Sequence, residues 1–229
     1  TMGANEWKTS TNWPVPETKE LILYLDGANA DVAVCNEGTI SMTAPETEQT
    51  DTFCYDPKNP ATHIIDMSEN ESEVPDDYTE EEKRDDILCY TTDVLTENLT
   101  ITGDAYAELF LSSDCEDTDL IVRITDVDEN GRSMKLADGM LCVRYRNGFE
   151  KPEFMEEGTV YPVRIRTTKL SHTFKAGHQL RITITSSAKN FTFPNSNTRA
   201  GFNSVETKVA KNSIHRGGEH ASRMILRME

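Results

Sequence analysis

No stretch of this sequence approaches the about 18 consecutive apolar residues that a membrane-spanning helix needs. Nothing in it reads as a signal peptide. No Cys-x-x-Cys occurs, so Cys35, Cys54, Cys89, Cys115 and Cys142 make neither a zinc pattern nor an evident disulfide framework. Wide, odd-numbered cysteines among apolar neighbours fit free thiols in a reducing compartment, a bacterial cytoplasm before a secreted setting. Basic residues are scarce: 23 Lys and Arg stand against 40 Asp and Glu, for a net charge of −17. A field of that sign repels phosphates and anionic lipid surfaces, which argues against nucleic-acid and membrane partners. Aromatics are few (7%) and hydrophobic residues make up 36%, which suits a thin core wrapped in loops. Finally, no Gly-x-Ser-x-Gly elbow is present to expose a serine nucleophile.

At 229 residues the chain is long enough to bury roughly 70% of its unfolded surface without disulfides or metal. Few segments carry a helical period. Short alternating or apolar runs recur instead, each followed by turn residues. They fall at 21–25, 98–112 with a break at Gly103-Asp104, 120–127, 140–146, 160–167, 179–186 and 224–228. Val, Ile and Thr dominate several of them, as half-buried strands prefer. Asn130-Gly131 is the strongest hairpin signal, and Gly38-Thr39 and Gly158-Thr159 read as breakers. Residues 66–86 are acidic and nearly free of apolar side chains, a long surface loop with room for one short helix at 79–84. Residues 188–204 form a second long polar loop carrying Phe191, Phe193 and Phe202. The pattern predicts one all-β domain over 1–229, with two large loops. The opening Thr1-Met2-Gly3 reads as the cut start of a fragment.

Four local patterns invite chemistry. Asp126-Val-Asp128-Glu-Asn130-Gly131 matches the first half of a calcium loop, but Ala137 stands where the bidentate Glu belongs, so an acidic hairpin turn is expected. His215 and His220 flank a Gly-Gly pair; metal ligation there needs a further donor, and a turn is the simpler expectation. Asn70, Asn98 and Asn190 open glycosylation sequons, which matter only in a secreted eukaryotic protein. Trp7 and Trp13 flank a polar N-terminal arm and are read as anchors to a neighbour, with sugar stacking as the alternative. The histidines (His63, His172, His178, His215, His220) lie among strand and turn residues. No complete catalytic set, metal site or cofactor site is expected.

An ordered series of motifs runs through almost the whole chain. It begins with Met2-Gly3-Ala4-Asn5-Glu6-Trp7 and Trp13-Pro14, then Asp51-Thr52-Phe53-Cys54-Tyr55-Asp56-Pro57-Lys58-Asn59-Pro60. Arg84-Asp85-Asp86-Ile87-Leu88-Cys89-Tyr90 follows, then Asp117-Thr118-Asp119, Asp126-Val127, Gly131-Arg132, Asp138-Gly139 and Arg144-Tyr145-Arg146. Gly177-His178-Gln179-Leu180 and Ile214-His215-Arg216-Gly217 with Glu219-His220-Ala221-Ser222 close it. The series resembles the C-terminal domain of the cocaine-esterase and X-prolyl dipeptidyl-peptidase family of serine hydrolases.

That resemblance implies a jelly-roll β-sandwich of galactose-binding type, following an α/β-hydrolase domain that holds the catalytic Ser, Asp and His. It implies acyl transfer on peptide or ester substrates by the parent protein and none by this chain. Two departures stand out. The Gly-Gly usual after the Asp-Pro-x-x-Pro motif is missing, and Ala221 stands where proline is common. Residues expected to face the upstream catalytic domain are Trp7, Trp13, His63, Ile64, Arg84 and Asp85. The competing expectation is a carbohydrate-binding module using Phe191, Phe193 and Phe202, with a calcium-dependent adhesion module a distant third. Substrate and oligomeric state are not legible in the sequence.

Overall fold

A computed structural model describes residues 1–27, 38–65 and 76–229, with Asn203 described by its backbone alone. Cys35, the Asn70 sequon and the 66–75 part of the acidic stretch lie outside the described residues.

Among the described residues the backbone forms β1 (Lys19–Gly27), β2 (Gly38–Ser41), β3 (Gln49–Tyr55), β4 (Ile87–Thr91), β5 (Leu99–Gly103), β6 (Tyr106–Ser113) and β7 (Asp119–Val127). It continues through β8 (Ser133–Cys142), β9 (Tyr161–Arg166), β10 (Leu170–Phe174), β11 (Gln179–Thr185), β12 (Ala210–Arg216) and β13 (Arg223–Met228). Short 3-10 turns stand at Glu81–Lys83, Val143–Tyr145, Gly201–Asn203 and Gly218–His220. The result is an all-β sandwich, as the short alternating runs predict.

Period-two alternation explains the outer strands. β1 buries Leu21, Leu23 and Leu25 and turns Glu20 and the intervening residues outward. β7 is different: alternation gives way to a run buried almost throughout, because β8 and β11 flank it and both its faces are covered. The strand order is β3-β12-β6-β13-β1-β2-β4-β11-β7-β8, with β9 on β6 and β5 between β13 and β10. Pairing is antiparallel except between β2 and β4. Leu23, Leu25, Leu109, Leu111, Val122, Ile124, Ile182, Ile184 and Leu226 share one buried cluster, so strands from both ends of that order enclose a common core.

The β8 end of the order meets β9 of the opposite layer at a close seam. The Thr168 N–H donates to the Asp138 carbonyl at 2.8 Å. A Cβ on Gly139 would lie 2.3 Å from the Arg166 carbonyl oxygen, so only glycine lets the two strands approach this far.

Several expectations change in the structure. The run at 140–146 is a strand only in its first part: β8 begins earlier, at Ser133, and ends at Cys142, where the chain tightens into the Val143–Tyr145 turn. Gly38-Thr39 is no breaker but part of β2, and a Cβ on Gly38 would collide with the Tyr90 ring at 2.4 Å. The strands β2, β3, β4, β10 and β12 gave no clear signal. β12 is the plainest case, since it buries the polar Asn212 and Arg216 beside Ala210 and Ile214. The β7–β8 hairpin turn forms as expected. Asp128 Oδ1 accepts the Asn130 and Arg132 N–H groups at 2.8 and 3.0 Å, and Gly131 takes φ +80°.

Candidate functional site

The seam carries the most unusual side chains. Residues 61–63 run beside the chain that leaves β11: Lys189 N–H donates to the Ala61 carbonyl and His63 N–H to the Lys189 carbonyl, each at 2.8 Å. The Ser187 hydroxyl accepts the Ala61 N–H at 2.8 Å. This pairing drives His63 inward. Its ring is 3% exposed, 3.3 Å from the Tyr78 hydroxyl and 3.7 Å from Asp138 Oδ2. Tyr78 is itself buried and accepts the Ile64 N–H at 2.9 Å. Its hydroxyl proton is then free to donate to His63 Nδ1, which fits a neutral imidazole. Burial, then the Lys135 and Arg123 cations, push His63 down to about 4, against the opposing pull of Asp138 and Asp76. Arg123 is buried too, with its guanidinium 4.6 Å over the Tyr78 ring. Among the described residues its Nε and Nη2 have no hydrogen-bond partner.

Phe191 stacks on the His63 ring, with centroids 4.6 Å apart, and keeps half its surface exposed. It opens a cleft of about 500 Å³ along the seam, shared with Asp138, Met140, Arg166 and Lys169. The Lys169 ammonium sits 5.1 Å over Trp13. The Trp13 indole donates to Asp104 Oδ2 at 3.0 Å, and Asp104 also accepts from Arg166 Nε at 3.1 Å. The Arg166 hydrogen bond, more than the one from Trp13, holds the Asp104 carboxyl below its ordinary range. Beyond Trp13, a second cleft of about 730 Å³ runs under the fully exposed Trp7. Trp13, Met140 and Phe191 all remain substantially exposed along this face.

The residues singled out in the sequence therefore separate. Trp13, His63 and Ile64 come to neighbouring places along the seam. His63 lies beneath the surface, and Phe191 is what the seam presents over it. Arg84 is engaged within the fold: its Nε and Nη2 clamp Asp86 at 2.7 and 2.8 Å, and Nη2 also reaches the Asn59 carbonyl. Asp85 is exposed beside it. The three phenylalanines do not make one platform. Phe191 belongs to His63, while Phe193 and Phe202 stack on each other at 5.3 Å. Tyr78, Asp138, Met140 and Lys169 escaped the sequence reading, because their partners sit on other segments of the fold; only Asp138-Gly139 left a trace, as a motif.

The polar sets around Asp126 and Asp117 are structural in their geometry. Asp126, part of the calcium-like pattern, sits instead in β7 between two histidines, 2.8 Å from His172 Nε2 and 2.8 Å from His178 Nδ1. Among the described residues two groups place three ligand-type atoms within 4.8 Å of one another: Asp117 with Asp119 and Cys142, and Glu48 with His215 and His220. In the first, the Asp117 carboxylate is already taken by Arg144 Nε and Asn195 Nδ2, both at 2.7 Å. That network ties the loop after β11 to the start of β7.

Residues 1–225 match the family described as the X-Pro dipeptidyl-peptidase C-terminal non-catalytic domain. The chain belongs to this family. It is 37% identical over 234 aligned residues to the cocaine esterase of Rhodococcus sp. (strain MB1 Bresler), covering 98% of this chain and 40% of that protein. Two solved structures share the fold. An aminopeptidase from a marine-sediment Thaumarchaeota archaeon aligns with a TM-score of 0.87 at 23% identity, over 99% of this chain and 39% of that one. An α-amino acid ester hydrolase aligns with a TM-score of 0.82 at 21% identity, over 98% and 38%. The chain thus spans about two fifths of the length of each of these relatives.

Proposed function

We propose that this family domain serves as the accessory C-terminal part of a serine hydrolase of dipeptidyl-peptidase or acyl-esterase type. In this reading it packs on an α/β-hydrolase domain and helps shape the entrance for a peptide or ester substrate. The observation that carries it is the exposed apolar face along the seam, Trp13, Met140 and Phe191, set over the buried His63–Tyr78–Arg123 layer. A face of that kind is suited to burial against a larger partner domain. That the family is a non-catalytic domain supports assigning the chemistry elsewhere in the parent protein.

The test uses the parent protein and this chain side by side, with p-nitrophenyl esters and Gly-Pro-p-nitroanilide as substrates. The chain alone should be inactive. Phe191→Ser together with Met140→Ser in the parent should lower kcat/KM at least about tenfold, since small misplacements of a catalytic constellation are costly. Hydrolysis by the chain alone, or unchanged kcat/KM in the double variant, overturns the proposal.

A further inference from the structure

The turn between β12 and β13 builds a second site, well separated in sequence from its third member. Gly217 and Gly218 both take positive φ, +79° and +56°. A Cβ on Gly217 would stand 2.2 Å from the Thr47 carbonyl oxygen, and the Gly218 N–H donates to the Pro45 carbonyl at 3.0 Å. The turn is therefore pressed against the segment leading into β3, and glycine is what permits the approach. Two consequences follow. His220 folds back toward His215, with ring centroids 5.8 Å apart, and Glu48 arrives between them. Glu48 Oε1 lies 2.7 Å from His220 Nδ1 and 3.7 Å from His215 Nδ1.

The surroundings aim these atoms. The Ser112 hydroxyl is 2.8 Å from His215 Nε2; accepting that N–H leaves the Nδ1 lone pair directed at Glu48. Ser222 Oγ pins the His215 carbonyl at 2.6 Å and accepts the Phe110 N–H at 2.9 Å. The Phe110 ring packs edge-on against His220 at 5.2 Å. The Thr50 hydroxyl, 3.4 Å from His215 Nδ1, competes for the lone pair at long range.

We propose that Glu48, His215 and His220 form a binding site for a divalent transition-metal ion of the Zn²⁺ type, clamping the β12–β13 turn to the segment before β3. Two imidazole nitrogens and one carboxylate oxygen are a donor set that suits zinc, with a fourth position for water. Tetrahedral bonds of about 2.1 Å would set donors roughly 3.4 Å apart, and the observed 2.7 and 3.7 Å bracket that spacing. Glu48 is about half exposed and His220 about a third, so an ion and its water have a path in. The Ser112 contact is the outer-shell orientation that metal-bound histidines use. The site shares no residue with the seam and does not depend on the function proposed for it.

The experiment is calorimetric titration of EDTA-stripped protein with Zn²⁺, beside visible spectroscopy with Co²⁺. One equivalent should bind in the micromolar range or tighter, and Co²⁺ should show the intense visible bands of a four-coordinate ion. Glu48→Gln and His220→Gln should each weaken binding about 100-fold, and Ser112→Ala about tenfold. Cys142→Ser, in the other ligand-type group, should bind as the parent does. Absence of binding at millimolar Zn²⁺, or unchanged affinity in both Glu48→Gln and His220→Gln, overturns the proposal and leaves a hydrogen-bonded latch. Loss of binding in Cys142→Ser overturns it in favour of the Asp117 group. Should a variant fail to fold, the wild-type Co²⁺ spectrum still decides, since six-coordinate bands alone would overturn the site.

Discussion

Lowering the pH should loosen this fold through His63. The imidazole is buried against Tyr78, Asp138 and Phe191 and is held neutral, down to about 4 from an ordinary 6.5. Burial is the main cause, and the Lys135 and Arg123 cations add to it. The sign follows from proton counting. Between pH 6.5 and 4 the unfolded chain binds a proton at this position that the folded chain refuses, so stability falls as pH falls through that window. Going from about pH 7 to about pH 5 the loss comes to about 2 kcal/mol. For a chain of this length that corresponds to roughly 4–8 °C in Tm. Other groups titrate in the same range, so the measurement is a difference. Urea or thermal unfolding followed by circular dichroism is run at about pH 7 and about pH 5 for the wild type and for His63→Gln. The variant should lose about 2 kcal/mol less than the wild type over that interval. Parallel losses in the two proteins would refute the account and would mean that His63 takes up its proton inside the fold.

Two further outcomes follow from buried charge. Arg216 is 1% exposed and bonded to Asp51 Oδ2 at 2.7 Å and to Asp26 at 3.4 Å; Arg216→Met should cost about 2–4 kcal/mol by leaving carboxylates unpaired, with part recovered in Arg216→Met/Asp51→Asn, measured by urea unfolding. A loss below about 0.5 kcal/mol, the range of ordinary surface changes, would contradict that role. Asp119 is pushed up to about 6, chiefly by burial, with the Asn195 hydrogen bond opposing and the Asp117 charge adding. Its contribution is full below 3.8 and is lost as pH rises through about 6, so Asp119→Asn should be more stable than wild type by up to about 3 kcal/mol at about pH 7.5 and close to it below about pH 4. Equal stabilities at the higher pH would show that the carboxylate is well solvated.

The ordered motifs were enough to place the chain in its family, because each is a local run whose spacing survives in linear order. The two Asp-rich motifs illustrate the limit. Asp126 was read as part of an acidic hairpin turn and is instead a bridge between His172 and His178, which lie 46 and 52 positions further on. Asp138-Gly139 was visible as a motif, but its purpose, letting β8 approach Arg166, belongs to another strand.

What the sequence determined by itself was the all-β class and the β7–β8 hairpin. These rest on alternation and turn chemistry, which act within a few residues. The tertiary structure alone decided that His63 is buried while Phe191 is presented, and that Arg84 serves Asp86. It also supplied Glu48 as the third donor beside His215 and His220, the last of these 172 positions away along the chain. Such contacts depend on which strands become neighbours in the sheet, and strand order is set by burial of the whole core rather than by any local run.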